Sequence, residues 1–93
     1  MKIRYTDRSR EDIEIAVVWY EKQRAGLGME FLDSAESALE RIGRFPEIYP
    51  FRYSKYRGCP IKRFPFILFY TIEDRAIIVH SFFDSRQDPV KRP

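Results

Sequence analysis

The spacing of apolar positions changes once along the chain, near Pro50, and that change predicts the architecture. Ile3 and Tyr5 alternate with charged neighbours, so residues 2–5 read as a short opening strand. Thr6, Asp7 and Ser9 then offer oxygens for a helix N-cap. From about residue 9 to 24, Ile13, Ala16, Val17 and Tyr20 recur at helical spacing. Ile15, Val18 and Trp19 widen that stripe, which predicts a helix buried on more than one side, with Trp19-Tyr20 as packing. Ala25-Gly26-Leu27-Gly28 ends it, because glycine enters the left-handed conformation of a helix stop at little cost. A second helix is predicted over about 28–44. Phe31, Ala35, Ala38, Leu39 and Ile42 form its stripe, Asp33, Glu36 and Glu40 lie outside it, and Pro46 stops it. The small Ala35 and Ala38 permit close approach, and the short link makes the pair an antiparallel hairpin of helices.

Beyond Pro50 the pattern is that of strands. Arg52–Arg57, bounded by Gly58, is one; Ile61–Ile72 is a second, with Pro65 marking an interruption or bulge near its start. Glu73-Asp74-Arg75 is a turn, and Ala76–Phe83 is the last strand. Short connections pair such strands antiparallel. The expected class is therefore α+β: an N-terminal strand, an antiparallel two-helix hairpin, then a three-strand antiparallel meander with the helices on one face. Both faces of the last strands are apolar. Phe66, Leu68, Tyr70 and Ile72 oppose Ile67 and Phe69, and Ile77, Val79 and Phe83 oppose Ile78 and Phe82. Two helices cover one face, so a loop, a tail or a partner must cover the other, and internal cover is the simpler solution.

Composition narrows the class. Ninety-three residues, 44% apolar and 16% aromatic, suit one domain over 1–93 with a core that needs no staples. The single cysteine, Cys59, rules out an internal disulfide and makes the reducing cytoplasm the expected compartment. No apolar run of signal-peptide length follows the charged start, and the longest uncharged run, Phe64–Ile72, is too short to span a bilayer, so no membrane association is expected. There is no repeat, no glycine-rich phosphate loop, no dinucleotide fingerprint and no metal-ligand cluster; neither cofactor nor metal is expected. Cys59 reads as a structural thiol and His80 as a packed histidine. Tyr53, Tyr56 and Tyr70 suit either stacking on bases or the core, and packing is the commoner fate of strand aromatics.

Charge is uneven. The net is +3, but residues 1–50 carry eight Lys/Arg against ten Asp/Glu, and residues 51–93 carry nine against four. Arg52, Lys55, Arg57, Lys62 and Arg63 fall within twelve residues that hold no acid. Such a field favours a polyanion or an acidic partner, or else protects an exposed strand edge.

Three segments, in order, resemble the RelE/ParE toxin superfamily. Asp12-Ile13-Glu14-Ile15 with Trp19-Tyr20-Glu21 resembles its first helix. Gly28-Met29-Glu30-Phe31-Leu32, with Leu39, Ile42 and Pro46, resembles its second helix and exit. Ile61-Lys62-Arg63-Phe64-Pro65-Phe66 and the tail Phe82-Phe83-Asp84-Ser85-Arg86-Gln87-Asp88-Pro89 resemble its basic-aromatic-proline strand and closing segment. The resemblance implies the toxin of a type II toxin–antitoxin pair, neutralised by a cognate antitoxin and acting on DNA gyrase or on ribosome-bound mRNA. By position Arg63 and Arg86 match basic residues of the family's central strand and tail; in a ribonuclease they would be the catalytic arginines. Arg52, Lys55, Arg57, Lys62 and Asp84 are the further binding candidates. The tail departs from the common family pattern, with Asp84 in place of a histidine and Gln87 in place of an arginine, and it has no tyrosine after Arg86 to match the one that RNA-cutting members carry. The pattern is closer to the ParE and plasmid-stabilisation branch. A non-toxic relative that acts only as a protein-binding module is the rival reading. Nothing in the pattern demands a homodimer through the helical hairpin, and nothing forbids it.

Overall fold

A computed structural model describes residues 1–93. The elements run β1 (Lys2–Tyr5), α1 (Asp7–Gln23), α2 (Leu27–Arg44), β2 (Phe51–Tyr53), β3 (Tyr56–Pro60), β4 (Phe66–Glu73) and β5 (Ala76–Asp84), then a 3-10 turn at Pro89–Lys91. The strands form one five-stranded sheet in the order β1-β5-β4-β3-β2. β1 runs parallel to β5 and every other pair is antiparallel. No helix is long and apolar enough to cross a membrane.

The expected meander of three strands is a run of four. Arg52–Arg57 is not one strand: the chain turns at Ser54-Lys55, with Ser54 in the left-handed region (φ 51°), and separates β2 from β3. Gly58, expected as a boundary, lies inside β3, because Gly58 to Pro60 pair with Phe69 to Ile67 of β4. The next strand starts at Phe66, not Ile61. Pro60 and Pro65 bracket a turn in which Arg63 takes φ 72° and the Ile61 N–H returns to the Phe66 carbonyl (2.9 Å).

The helices behave as their spacing requires on the inner side. Thr6 caps α1 by accepting the Ser9 N–H at 3.1 Å. Ala16 and Tyr20 of α1 and Phe31, Ala35, Ala38 and Ile42 of α2 are buried against Leu68, Tyr70, Ile77, Val79 and Phe82. The outer side differs from expectation. Ile15, Val18 and Trp19 face solvent and remain 60%, 54% and 48% exposed.

α1 and α2 meet closely at Gly28. A Cβ there would lie 2.7 Å from the Val17 carbonyl oxygen, a backbone atom that moves only with its helix. Alanine is the better helix former by about 1 kcal/mol, but the clash costs about 1–3 kcal/mol and decides the sign. Gly28→Ala is therefore expected to lower the urea midpoint of unfolding; an unchanged or raised midpoint would show that the helices do not approach so closely.

Strand parity also departs from simple alternation. His80 is an extra residue in β5, since Phe69 pairs with Ser81 and Tyr70 already pairs with Val79. A bulge of this kind reverses the side-chain sequence beyond it. Hence Ile77, Val79 and Phe82 reach the helix side, while Phe83 moves to the opposite face beside Phe69 (6.0 Å). On that face the chain's own tail supplies the cover. The Arg92 guanidinium lies 4.0 Å from the Tyr53 ring, Tyr53 lies against Phe69, and the Lys91 carbonyl accepts from Arg8 of α1.

Candidate functional site

The main cleft, about 520 Å³, opens between α1 and the end of β5. β1 is too short to accompany all of β5, and α1 continues along the same edge. The Thr6 hydroxyl donates to the His80 carbonyl (3.1 Å), and Asp12 Oδ2 accepts the Phe82 N–H (3.0 Å). Burial pushes the Asp12 carboxyl above its ordinary range, with the Phe82 N–H and Arg8 pulling the other way. Ala16, Phe66 and Phe82 floor the cleft, and Trp19 stands at its rim. The Tyr20 hydroxyl is buried without a hydrogen-bond partner, and burial raises its pKa.

Arg86 borders this cleft already occupied. Its Nε and Nη2 donate to the two Asp84 oxygens at 3.0 and 2.8 Å, and its own N–H reaches Asp84 Oδ1 at 2.9 Å. The pairing holds the Asp84 carboxyl below its usual range and raises Arg86. The guanidinium stands 5.9 Å from the Trp19 ring.

Arg63 belongs to the same end of the sheet, because Phe66 pairs with Asp84 and the Ser85 N–H and hydroxyl both donate to the Pro65 carbonyl (2.8 and 2.9 Å). It too is paired. Arg63 and Arg24 grip Glu30 of α2 at 2.7 and 2.9 Å and hold its carboxyl below the ordinary value. Phe64, beside it, packs edge-on to Tyr20 (4.9 Å) and Phe31 (5.1 Å).

The remaining basic candidates lie elsewhere. Arg57, opposite Tyr70 in the sheet, donates to the Tyr49 and Glu47 carbonyls (2.7 and 3.3 Å) and lies over the Phe51 ring (4.3 Å). It shares a second groove with Lys55, Glu47 and Glu73. The Arg52 stem packs over Gly58, and Lys62 is exposed in the turn before β4. The cations that cluster in sequence over residues 52–63 are thus divided in space. Arg63 and Arg86 share one end of the sheet, whereas Lys55 and Arg57 share a groove that contains neither.

Other singled-out residues are structural. Cys59 is fully buried in the core. Tyr70, also fully buried, donates to the Pro46 carbonyl (2.7 Å), and burial pushes its pKa up to about 12. His80 Nε2 contacts the Thr71 hydroxyl (2.7 Å) on the face away from the helices, and its ring meets Tyr56 edge-on. Burial depresses the His80 pKa below 6.5, Glu73 opposing and Lys55 assisting. A histidine so placed binds protons less readily folded than unfolded. Its contribution is full above pH 6.5 and is lost as pH falls through that value towards the lower folded pKa. Urea midpoints measured from pH 7.5 to 5.5 (about two units around the ordinary histidine pKa) are expected to fall. His80→Gln should flatten that slope, and an unchanged slope would place its origin elsewhere.

Sequence reasoning missed the cleft-forming roles of Asp12 and Tyr20. The signal available was the Asp12 position: an acid one turn ahead of the buried Ala16 on a helix whose partner strand is longer than β1.

A two-helix layer on a mixed five-stranded sheet, with a cleft at the end of the last strand, defines a small α+β domain. Residues 3–89 match the family described as "ParE toxin of type II toxin-antitoxin system, parDE". The chain belongs to that family. A solved structure titled "Chromosomal ParDE TA system from P. aeruginosa" shares the fold, with a TM-score of 0.68 over 90% of this chain and 95% of that one, at 13% identity. No curated protein sequence matches.

Proposed function

We propose that this ParE-family toxin acts in the cytoplasm by binding DNA gyrase, without hydrolysing a substrate, and that a cognate antitoxin silences it by covering the Arg86 end of the sheet. The observation that carries this reading is the state of the two candidate arginines. A ribonuclease needs guanidinium groups free for phosphate, with an acid and a base around the ribose hydroxyl. Arg86 is instead clasped by Asp84, and Arg63 by Glu30. The lone histidine sits with Thr71 on the other face, and Asp12 is engaged by the Phe82 N–H. An apolar cleft rimmed by Trp19 and a pre-set Arg86–Asp84 pair suits a protein surface, where aromatic and arginine side chains dominate binding energy.

Two assays test the reading. Purified toxin should inhibit supercoiling by gyrase, and the antitoxin encoded beside it should relieve the inhibition. Added to translating ribosomes, it should leave message uncut. Cleavage of message without any effect on gyrase would establish the ribonuclease reading instead. Normal growth of bacteria expressing the toxin without antitoxin would establish the non-toxic binding module.

A further inference from the structure

Besides the stripe that packs on α2 and the sheet, α1 carries a second apolar stripe that the chain leaves about half exposed. Isolated apolar side chains on a surface are ordinary; Ile15, Val18 and Trp19 lie within two turns of one helix and form a patch. The middle line of this outward face is Glu11, Ile15, Val18, Lys22, at spacings of four, three and four. That is the spacing of a short coiled-coil seam. The line is also self-complementary: an acid, two aliphatic residues, then a base.

We infer that this face is a homodimer interface, in which two copies of α1 pack antiparallel about a two-fold axis beside residues 16–17. In that register Ile15 meets Val18 of the partner subunit, and Glu11 meets Lys22 of the partner subunit, each twice by symmetry. An isologous contact of this type needs one patch that complements itself.

Charge identifies the occupant. Glu11 and Lys22 are both exposed, and neither forms an ion pair within its own chain. Parallel packing would set Glu11 against its own copy and Lys22 against its own; antiparallel packing satisfies all four charges. Of the acids on the flank, Glu21 is turned away, its carboxylate accepting the N–H groups of Gly26 (3.0 Å) and Gly28 (3.1 Å). Glu14 remains there. A polyanion gains nothing from a face that carries Glu11 and Glu14 beside a single Lys22. Val18 and Lys22 of the seam lie outside the cleft beside Arg86, whereas Ile15 and Trp19 line both surfaces. One helix pair buries an area at the low end for specific interfaces, so the dimer is expected to be weak and to dissociate at micromolar concentrations.

Sedimentation of the full-length chain over about 1–200 µM, the range that brackets such dissociation, should show a reversible monomer–dimer equilibrium. Glu11→Lys alone and Lys22→Glu alone should each weaken the dimer about tenfold, because each replaces two attractive pairs by repulsive ones. Both together exchange the charges and should restore the wild-type constant. These exposed positions leave the fold intact, which circular dichroism checks. Val18→Asp should leave only monomer. A chain monomeric throughout, or a dimer indifferent to the single reversals, would overturn the inference. So would a monomeric chain in which Val18→Asp weakens antitoxin binding, since the face would then belong to the antitoxin.

Discussion

Replacing Phe31 with alanine is expected to lower the unfolding free energy by about 3–5 kcal/mol, the range for deleting a large aromatic side chain from a packed core. Phe31 is fully buried at the centre of an aromatic cluster, 5.3 Å from Tyr20, 5.1 Å from Phe64 and 5.0 Å from Phe66, ring to ring. These rings come from α1, α2, the turn before β4, and β4 itself, so the cavity would lie where both helices meet the sheet. Neighbours on three other segments cannot all move inward together, and the loss should approach the top of the range. Chemical denaturation measures it. A loss below about 1.5 kcal/mol would mean that the cluster closes over the gap.

The inner core was legible from the sequence because burial there follows period alone. Ala16, Tyr20, Phe31, Ala35, Ala38 and Ile42 recur at helical spacing and are buried as that spacing demands. The Asp74-Arg75 turn was legible as well; both residues take positive φ in a tight connection between β4 and β5. Ser54-Lys55 makes a comparable reversal without glycine, asparagine or proline, so nothing in its composition announced β2 and β3 as separate strands. The bulge at His80 has no residue signal either, and it inverts the reading of Phe82 and Phe83. Outer-face residues failed for a different reason. Ile15 and Val18 are apolar at helical spacing, and spacing does not tell a core from an interface.

The candidate site was legible in its residue types and not in their pairing. A charge count treats Arg57, Arg63 and Arg86 alike. In the folded chain Arg57 holds backbone carbonyls of the segment before β2, Arg63 reaches a glutamate 33 positions away, and Arg86 is closed on Asp84 two residues back. Only the last pairing is local, and Asp84, which departs from the family's tail pattern, is the residue that makes it. Arg57→Ala should accordingly appear in stability, lowering it by about 1–2 kcal/mol through the lost hydrogen bonds to carbonyls.

Arg86→Glu should have the largest functional effect: loss of growth inhibition on expression and a fall in gyrase affinity of at least about a hundredfold, the loss typical of a removed hot-spot side chain. The effect is electrostatic and local. The Arg86 guanidinium stands 5.9 Å from the Trp19 ring, and its reversal would set a third carboxylate beside Asp84 and Asp12 in one cleft. A partner that packs on this rim then meets clustered carboxylates in place of a neutralised Arg86–Asp84 pair. Stability should hardly change, because Arg86 is more than half exposed and its ion pair with Asp84 is worth about 0–1 kcal/mol. The two readouts therefore separate: growth and gyrase titration should move while the melting temperature stays within about 4 °C of wild type. Retained toxicity at equal expression would remove Arg86 from the binding surface, and the cleft would lose its claim to be the seat of action.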